Sequence, residues 1–112
     1  IIQDKKVGDV IIREQILKDF PSKELRSIID EGKKDIKSGI VVGISTFEDK
    51  VGLAVGITKD LTSKYDAVDL VKAASVILGG KGGGGRKDFA QAGGVNKDKI
   101  TEAFKEISKK LS

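Results

Sequence analysis

The chain contains no cysteine, histidine, methionine or tryptophan, and one proline, in 112 residues. Without Cys or His it has no thiolate or imidazole to hold zinc or attack a substrate. Cys/His metal sites and the common hydrolytic triads are therefore excluded. Disulfides cannot brace the fold, and the lack of cysteine fits a reducing, cytoplasmic setting. Aromatic residues are scarce: Phe20, Phe47, Tyr65, Phe89 and Phe104 are the full set. That is too few for a platform stacking a run of unpaired bases. No apolar run approaches the ~20 residues of a membrane-spanning helix, so no membrane partner is expected. The opening IIQDKKVGD has no signal-peptide pattern. The length suits one globular domain, residues 1–112, and the absence of Met, at position 1 included, suggests a domain excised from a longer chain.

Glycine, by contrast, is concentrated. Eight of the 14 glycines fall in GGKGGGGRKDFAQAGG, Gly79 to Gly94. Glycine loses more backbone entropy on folding than any other residue, so such a density calls for a reason. A flexible linker would have Ser-rich, featureless flanks. Here an apolar helical pattern ends at Leu78, another begins near Ile100, and Phe89, Ala90 and Ala92 supply apolar anchors. The alternative is main chain stripped of side chains so that a ligand can reach the amides. Charge supports it. Residues 1–78 hold 13 Lys+Arg against 13 Asp+Glu, whereas residues 79–112 hold 8 against 4, so the net +4 belongs to the second segment. A basic end on a neutral body points to an anionic partner, while Lys97 to Lys110 taken alone read as a solvated lysine-rich helix face.

The hydrophobic pattern predicts a mixed α/β (α+β) domain. Ile1–Val7 is a strand end or a connection, and Gly8-Asp9 a turn. Val10–Leu17 is rich in β-branched residues and reads as a strand. Phe20-Pro21-Ser22 opens a helix with Ser22 as N-cap and an apolar face of Leu25, Ile28, Ile29 and Ile36. Ile40–Thr46 and Val51–Thr58 read as strands joined by a tight turn at Glu48-Asp49-Lys50. Gly43, Gly52 and Gly56 within them mark bulges or the close approach of another backbone. Asp66 is the expected N-cap of Ala67–Leu78, with Asp69 completing an approximate capping box. That helix is apolar nearly all round and should be buried across the sheet. Gly79-Gly80 is placed to terminate it. A short strand is expected at Asp88–Ala92. Asn96 or a neighbour should cap a last helix with the stripe Ile100, Ala103, Phe104, Ile107 and Leu111. The order is β-α-β-β-α-glycine loop/short β-α: a small mixed sheet of about four to five strands with three helices packed on it. The first β-α-β suits a parallel crossover.

Two apparent motifs fail on context. Gly80, Gly82 and Gly85 spell G-x-G-x-x-G, but they come after a helix where the dinucleotide fingerprint comes after a strand. Gly80-Lys81 lacks the Ser or Thr that completes a P-loop. Carboxylate pairs such as Asp30-Glu31 and Glu48-Asp49 sit in solvated contexts, so on residues alone the chain is a binding module and not an enzyme. Consecutive glycine amides can form an anion-holding concavity, with nearby cations adding charge-assisted contacts. Recognition by backbone and shape, salt-dependent and weakly sequence-specific, is the expected mode. The competing reading is that the glycines serve close packing alone.

The string GGKGGGGRKDFAQAGG resembles the C-terminal signature of alanyl-tRNA synthetases, the DHH-associated oligonucleotide-binding domain. LRSIID, the hairpin and GITKDL extend the likeness to essentially the whole chain. DHH phosphoesterases carry a related domain, but His and Ala-Ala-Gly typically come after their glycine cluster. Arg86 and Ala90-Gln91-Ala92 favour the synthetase branch. Lys87 stands where the synthetases usually have Pro, and the cluster is one Gly longer. The resemblance implies a non-catalytic accessory domain that engages the outer corner of alanine-specific tRNA and supports upstream aminoacylation and editing domains. ATP, Mg and Zn would belong to those upstream domains. It carries over Gly80, Gly82, Gly83, Gly84, Gly85, Arg86 and Gln91 as RNA-binding residues; Lys72, Lys81 and Lys87 are added from charge and position. Gln91 serves either binding or the satisfaction of buried backbone groups. The alternatives are the oligonucleotide-binding domain of a DHH phosphoesterase, and a structural or dimerisation module using the last helix. A monomeric fragment is expected, because that helix's apolar stripe is needed for the core.

Overall fold

A computed structural model describes residues 1–112. The elements run β1 (Ile2–Val7), β2 (Val10–Lys18), α1 (Leu25–Ile36), β3 (Ile40–Phe47), β4 (Lys50–Ile57), α2 (Ala67–Ile77), β5 (Gly83–Gly85), β6 (Phe89–Gly94) and α3 (Ile100–Leu111). Short 3₁₀ turns at Ser22–Glu24, Lys59–Leu61 and Lys97–Lys99 lead into or link them. The strands form one sheet in the order β1-β2-β3-β4-β6-β5.

All pairings are antiparallel except β2–β3, the parallel pair spanned by α1. Six strands form, against the four to five expected. The two additions are both edges. β1 carries a broken polar pattern, IQDKKV, and is held by its hairpin to β2 through Gly8 at φ +61°. β5 is built of glycine alone, so no hydrophobic alternation announces it.

The sheet has two faces of unequal depth. On one, α2 and α3 cover a large core that includes Ile12, Ile40, Val42, Ile44, Leu53, Val55, Ala90, Phe104 and Ile107. The apolar stripe of α3 is part of it. On the other, α1 lies across β3 and β4 over a small cluster of Leu25, Ile29, Val41, Ala54 and Phe89. Phe89 and Ala90, adjacent in sequence, thus anchor opposite faces, as strand alternation requires.

The sheet glycines serve α1. Gly43, Gly52 and Gly56 lie in unbroken ladders, so none is a bulge. An added Cβ at Gly43 would lie 3.3 Å from Ile29 Cδ1, and one at Gly52 would lie 2.5 Å from Ser22 Cβ. At Gly56 it would collide with the Ile29 side chain. From the helix side, Gly32 has room for no Cβ because Val41 would stand 2.8 Å away. A glycine channel in the sheet therefore lets the helix sit low.

Of the three expected caps, one forms and two do not. Asp66 caps α2 as predicted, its carboxylate accepting the Val68 amide at 2.9 Å, but Asp69 adds no reciprocal bond. Ser22 caps nothing: the chain enters α1 through a 3₁₀ turn started by Pro21, whose fixed φ already suits it. Asn96 does not cap α3. Its side-chain amide donates to the Ile77 carbonyl at 3.2 Å, closing the C-terminus of α2. Gly79, at φ +78°, and Gly80 complete that terminus. Gly79 N–H donates to Val76 and Gly80 N–H to Ser75, the paired bonds of a Schellman motif.

Candidate functional site

The glycine stretch is anchored from within α2. Ser75 is fully buried, and its hydroxyl donates to the Gly93 carbonyl at 3.2 Å and accepts the Gly82 amide at 3.3 Å. This clamps the entry to β5 against β6. Gly80 passes so close to Gly93 that a Cβ would strike its carbonyl. Gly82 takes φ +96° and Gly85 φ +150°, conformations L side chains rarely adopt. Between them the chain runs extended and pairs Gly83 with Ala92, Gly84 with Gln91 and Gly85 with Ala90.

The expected concavity of converging amides is therefore replaced by a flat strand. Arg86 and Phe89 exchange both main-chain hydrogen bonds across the turn. Antiparallel alternation then directs the Gly84 groups at Gln91 and turns the N–H and C=O of Gly83 and Gly85 to the outer edge of the sheet. The amides of Gly80 and Gly82 are engaged by Ser75 and so are not available to a ligand.

Residues directly opposite in a ladder share a face. Gly52 pairs with Gly93, Ala54 with Gln91, and Gln91 with Gly84, which places Gly84, Gln91 and Gly93 on the α1 face. Here α1 does not reach, and all three are exposed. The result is a bare shelf with one side chain on it. Gln91 makes no hydrogen bond within the molecule through its side chain, so it does not serve buried backbone. Gly84 has nothing within 4 Å of an added Cβ and an ordinary φ; neither packing nor conformation demands glycine there.

Exposed cations stand at both ends of the glycine strand. Arg86 is 65% exposed at the tip of the β5–β6 hairpin, with Nε 3.5 Å from the Asp88 carboxylate. Lys87 is exposed at the same tip, and its carbonyl accepts the Ala67 amide. Lys81 is exposed at the entry to β5 and forms no ion pair. Lys72 lies apart, on α2 beside Tyr65, Asp69 and Lys110 in a separate cavity. Two cations not singled out in the sequence join from the start of α1. Lys23 lines a cavity of about 470 Å³ with Ser22, Gly83 and Gln91. Arg26 lies 4.5 Å over the Phe89 ring. Each is more than fifty residues from the glycine cluster, and the sheet register alone brings them near; no local signal marks them.

No group of acidic residues is arranged to hold a metal ion, and no helix is long and apolar enough to cross a membrane.

Residues 9–112 match the family model described as the DHHA1 domain. The chain is 54% identical over 85 residues to an alanine–tRNA ligase of Hyphomonas neptunium, covering 76% of this chain and 10% of that protein. It is 47% identical over 110 residues to the alanine–tRNA ligase of Bradyrhizobium diazoefficiens, covering 96% and 12%. It thus spans a small fraction of the relatives' length. Among solved structures it is similar to the C-Ala domain from Aquifex aeolicus alanyl-tRNA synthetase, with TM-score 0.92, 32% identity and 98% coverage of both chains. A DHH-domain chain described as a member of a family of ribosomal proteins aligns with TM-score 0.62 and 14% identity over 98% of this chain and 27% of its own length, which shows a common fold.

Proposed function

The chain belongs to the DHHA1 domain family, in the group of alanyl-tRNA synthetase C-Ala domains, and from that premise we propose that it binds tRNA with the bare β5–β6 shelf. The synthetase domain is an accessory unit, and the ligase chemistry belongs to its parent enzyme. In our reading the shelf lies against the outer corner of alanine-specific tRNA. Upstream aminoacylation and editing domains then act on the same molecule, and any ATP, Mg or Zn belongs to them. The binding unit itself uses no cofactor.

The observation that carries this is Gly84. Every other glycine from Gly79 to Gly85 has an internal reason, either positive φ or a Cβ that would strike neighbouring atoms. Gly84 has neither and stands exposed beside Gln91. Main chain without side chains suits a surface that sugars or a base pair can lie flat against. The outward N–H groups of Gly83 and Gly85 are donors for phosphate oxygens, and Arg86, Lys87 and Lys81 add charge.

Fluorescence anisotropy with alanine-specific tRNA at low salt tests the reading. The Lys81→Ala/Arg86→Ala double variant should bind several-fold more weakly, with a shallower dependence of log K on log salt concentration. Unchanged binding and slope would show that the shelf is not the contact surface.

A further inference from the structure

Beyond the shelf, the same face of the sheet continues to a second cavity of about 410 Å³ between the start of α1 and the β3–β4 turn. It shares Ser22, Lys23 and Gly93 with the cavity at the glycine strand. The two therefore form one groove. It crosses from β5 to β3 in three inter-strand steps, about 14 Å at ~4.8 Å each.

The inner wall of this second cavity is polar without internal cause. Ser45 lines it, is 1% exposed, and its hydroxyl makes no hydrogen bond with the rest of the protein. The hydroxyl is not sealed in the core: the side-chain atoms wholly buried without a partner are Glu14 Oε2 and Ser108 Oγ, so Ser45 Oγ opens on the cavity and is free to bond a ligand there. Its neighbour across the ladder is Gly52. A Cβ there would stand 2.8 Å from Ser45 Oγ and 2.5 Å from Ser22 Cβ, so the missing side chain keeps the two serines facing each other over bare main chain. Lys23 and Lys50 line the same space, and neither is in an ion pair. Glu48 is the one carboxylate on the rim, and it is exposed. No side chain caps the turn that opens at Ser22.

We infer that Ser22, Lys23, Ser45, Lys50 and the Gly52 main chain form a phosphate subsite, which receives a backbone phosphate of the nucleic acid lying on the shelf. The hydroxyls donate to the phosphate oxygens and the two ammonium groups neutralise them. This rests on the tRNA-binding reading and extends it: the strand does not end at the glycines but continues along the groove to β3.

Two measurements on the 112-residue chain test it. The first follows backbone amide shifts by NMR during titration with inorganic phosphate. Lys23, Ser45 and Gly52 should move together and saturate, Ser45→Ala should weaken the response about tenfold, and Glu48→Gln should strengthen it. No movement, or unsaturable drift of exposed lysines alone, overturns the subsite. The second measures tRNA affinity against salt. Lys23→Met should reduce the slope of log K against log salt by about 0.7–0.9, the equivalent of one phosphate, and Ser45→Ala should weaken binding severalfold. If tRNA binds and both variants match the parent, the inference is wrong and the shelf reading stands. If phosphate moves Ser45 but the parent chain does not bind tRNA, the shelf reading falls and the cavity takes a free anion, which overturns the assignment to a nucleic-acid phosphate.

Discussion

The hydroxyl of Ser75 accepts the main-chain amide of Gly82 at 3.3 Å, so a residue buried in α2 holds the first turn of the glycine strand in place. The same hydroxyl donates to Gly93 on the neighbouring strand. One buried side chain thus couples the helix, β6 and the entry to β5. Ser75→Ala should destabilise the fold by about 1–3 kcal/mol in chemical denaturation, the range for stranding buried partners. It should also raise hydrogen exchange at Gly82 more than at Gly43.

Gly84 and Gly56 separate two uses of glycine. Gly84→Ala adds a methyl to open space and should leave stability within about 0.5 kcal/mol of the parent, while weakening tRNA binding. Gly56→Ala drives a methyl into Ile29 and should destabilise by about 1–3 kcal/mol. Thermal melts and tRNA anisotropy on both variants check this. Loss of stability at Gly84 would return that glycine to a packing role.

Asn96 closes the end of α2 from a distance of 19 residues. Asn96→Ala should cost about 1 kcal/mol, typical of one hydrogen bond, and should increase exchange in the last turn of α2. The first turn of α3 should be unaffected, because Asn96 does not cap it.

Acid should weaken the fold through Asp4 and Asp60. The Arg13 guanidinium hydrogen-bonds to the Asp4 carboxylate and holds it below the usual 3.8. Hydrogen bonds from Ser38, and then from Thr58, do the same for Asp60. A carboxyl with a lowered folded pKa adds stability above its unfolded pKa and loses it as pH falls through the folded value. The melting temperature should therefore be flat above about pH 5 and fall below about pH 4. Asp60→Asn should flatten part of that fall, and Ser38→Ala should move the Asp60 titration, read by NMR, back toward 3.8.

Much of the order of elements is written locally. The apolar stripe of Leu25, Ile28, Ile29 and Ile36 predicts α1, and the β-branched runs IVVGIST and VGLAVGIT predict the central hairpin, each within a residue of the strand that forms. The all-round apolar AVDLVKAASVIL predicts a buried α2, which ends one residue earlier at Ile77. The density of glycine and cations in residues 79–94 singles out the stretch proposed to contact tRNA. These features rest on period and composition, which a short window contains.

Tertiary structure decided the rest, because it depends on partners apart in the chain. β5 has no side chains, so its strand state is created by pairing with β6. The roles of Asn96 and Ser75 are fixed by groups that lie across a turn or strand in space. Lys23 and Ser45 look like an ordinary helix-entry lysine and an ordinary strand serine. They face one groove because the parallel β2–β3 pairing lays α1 and its leading turn over Gly52, and sheet register, unlike periodicity, is a property of the whole sheet.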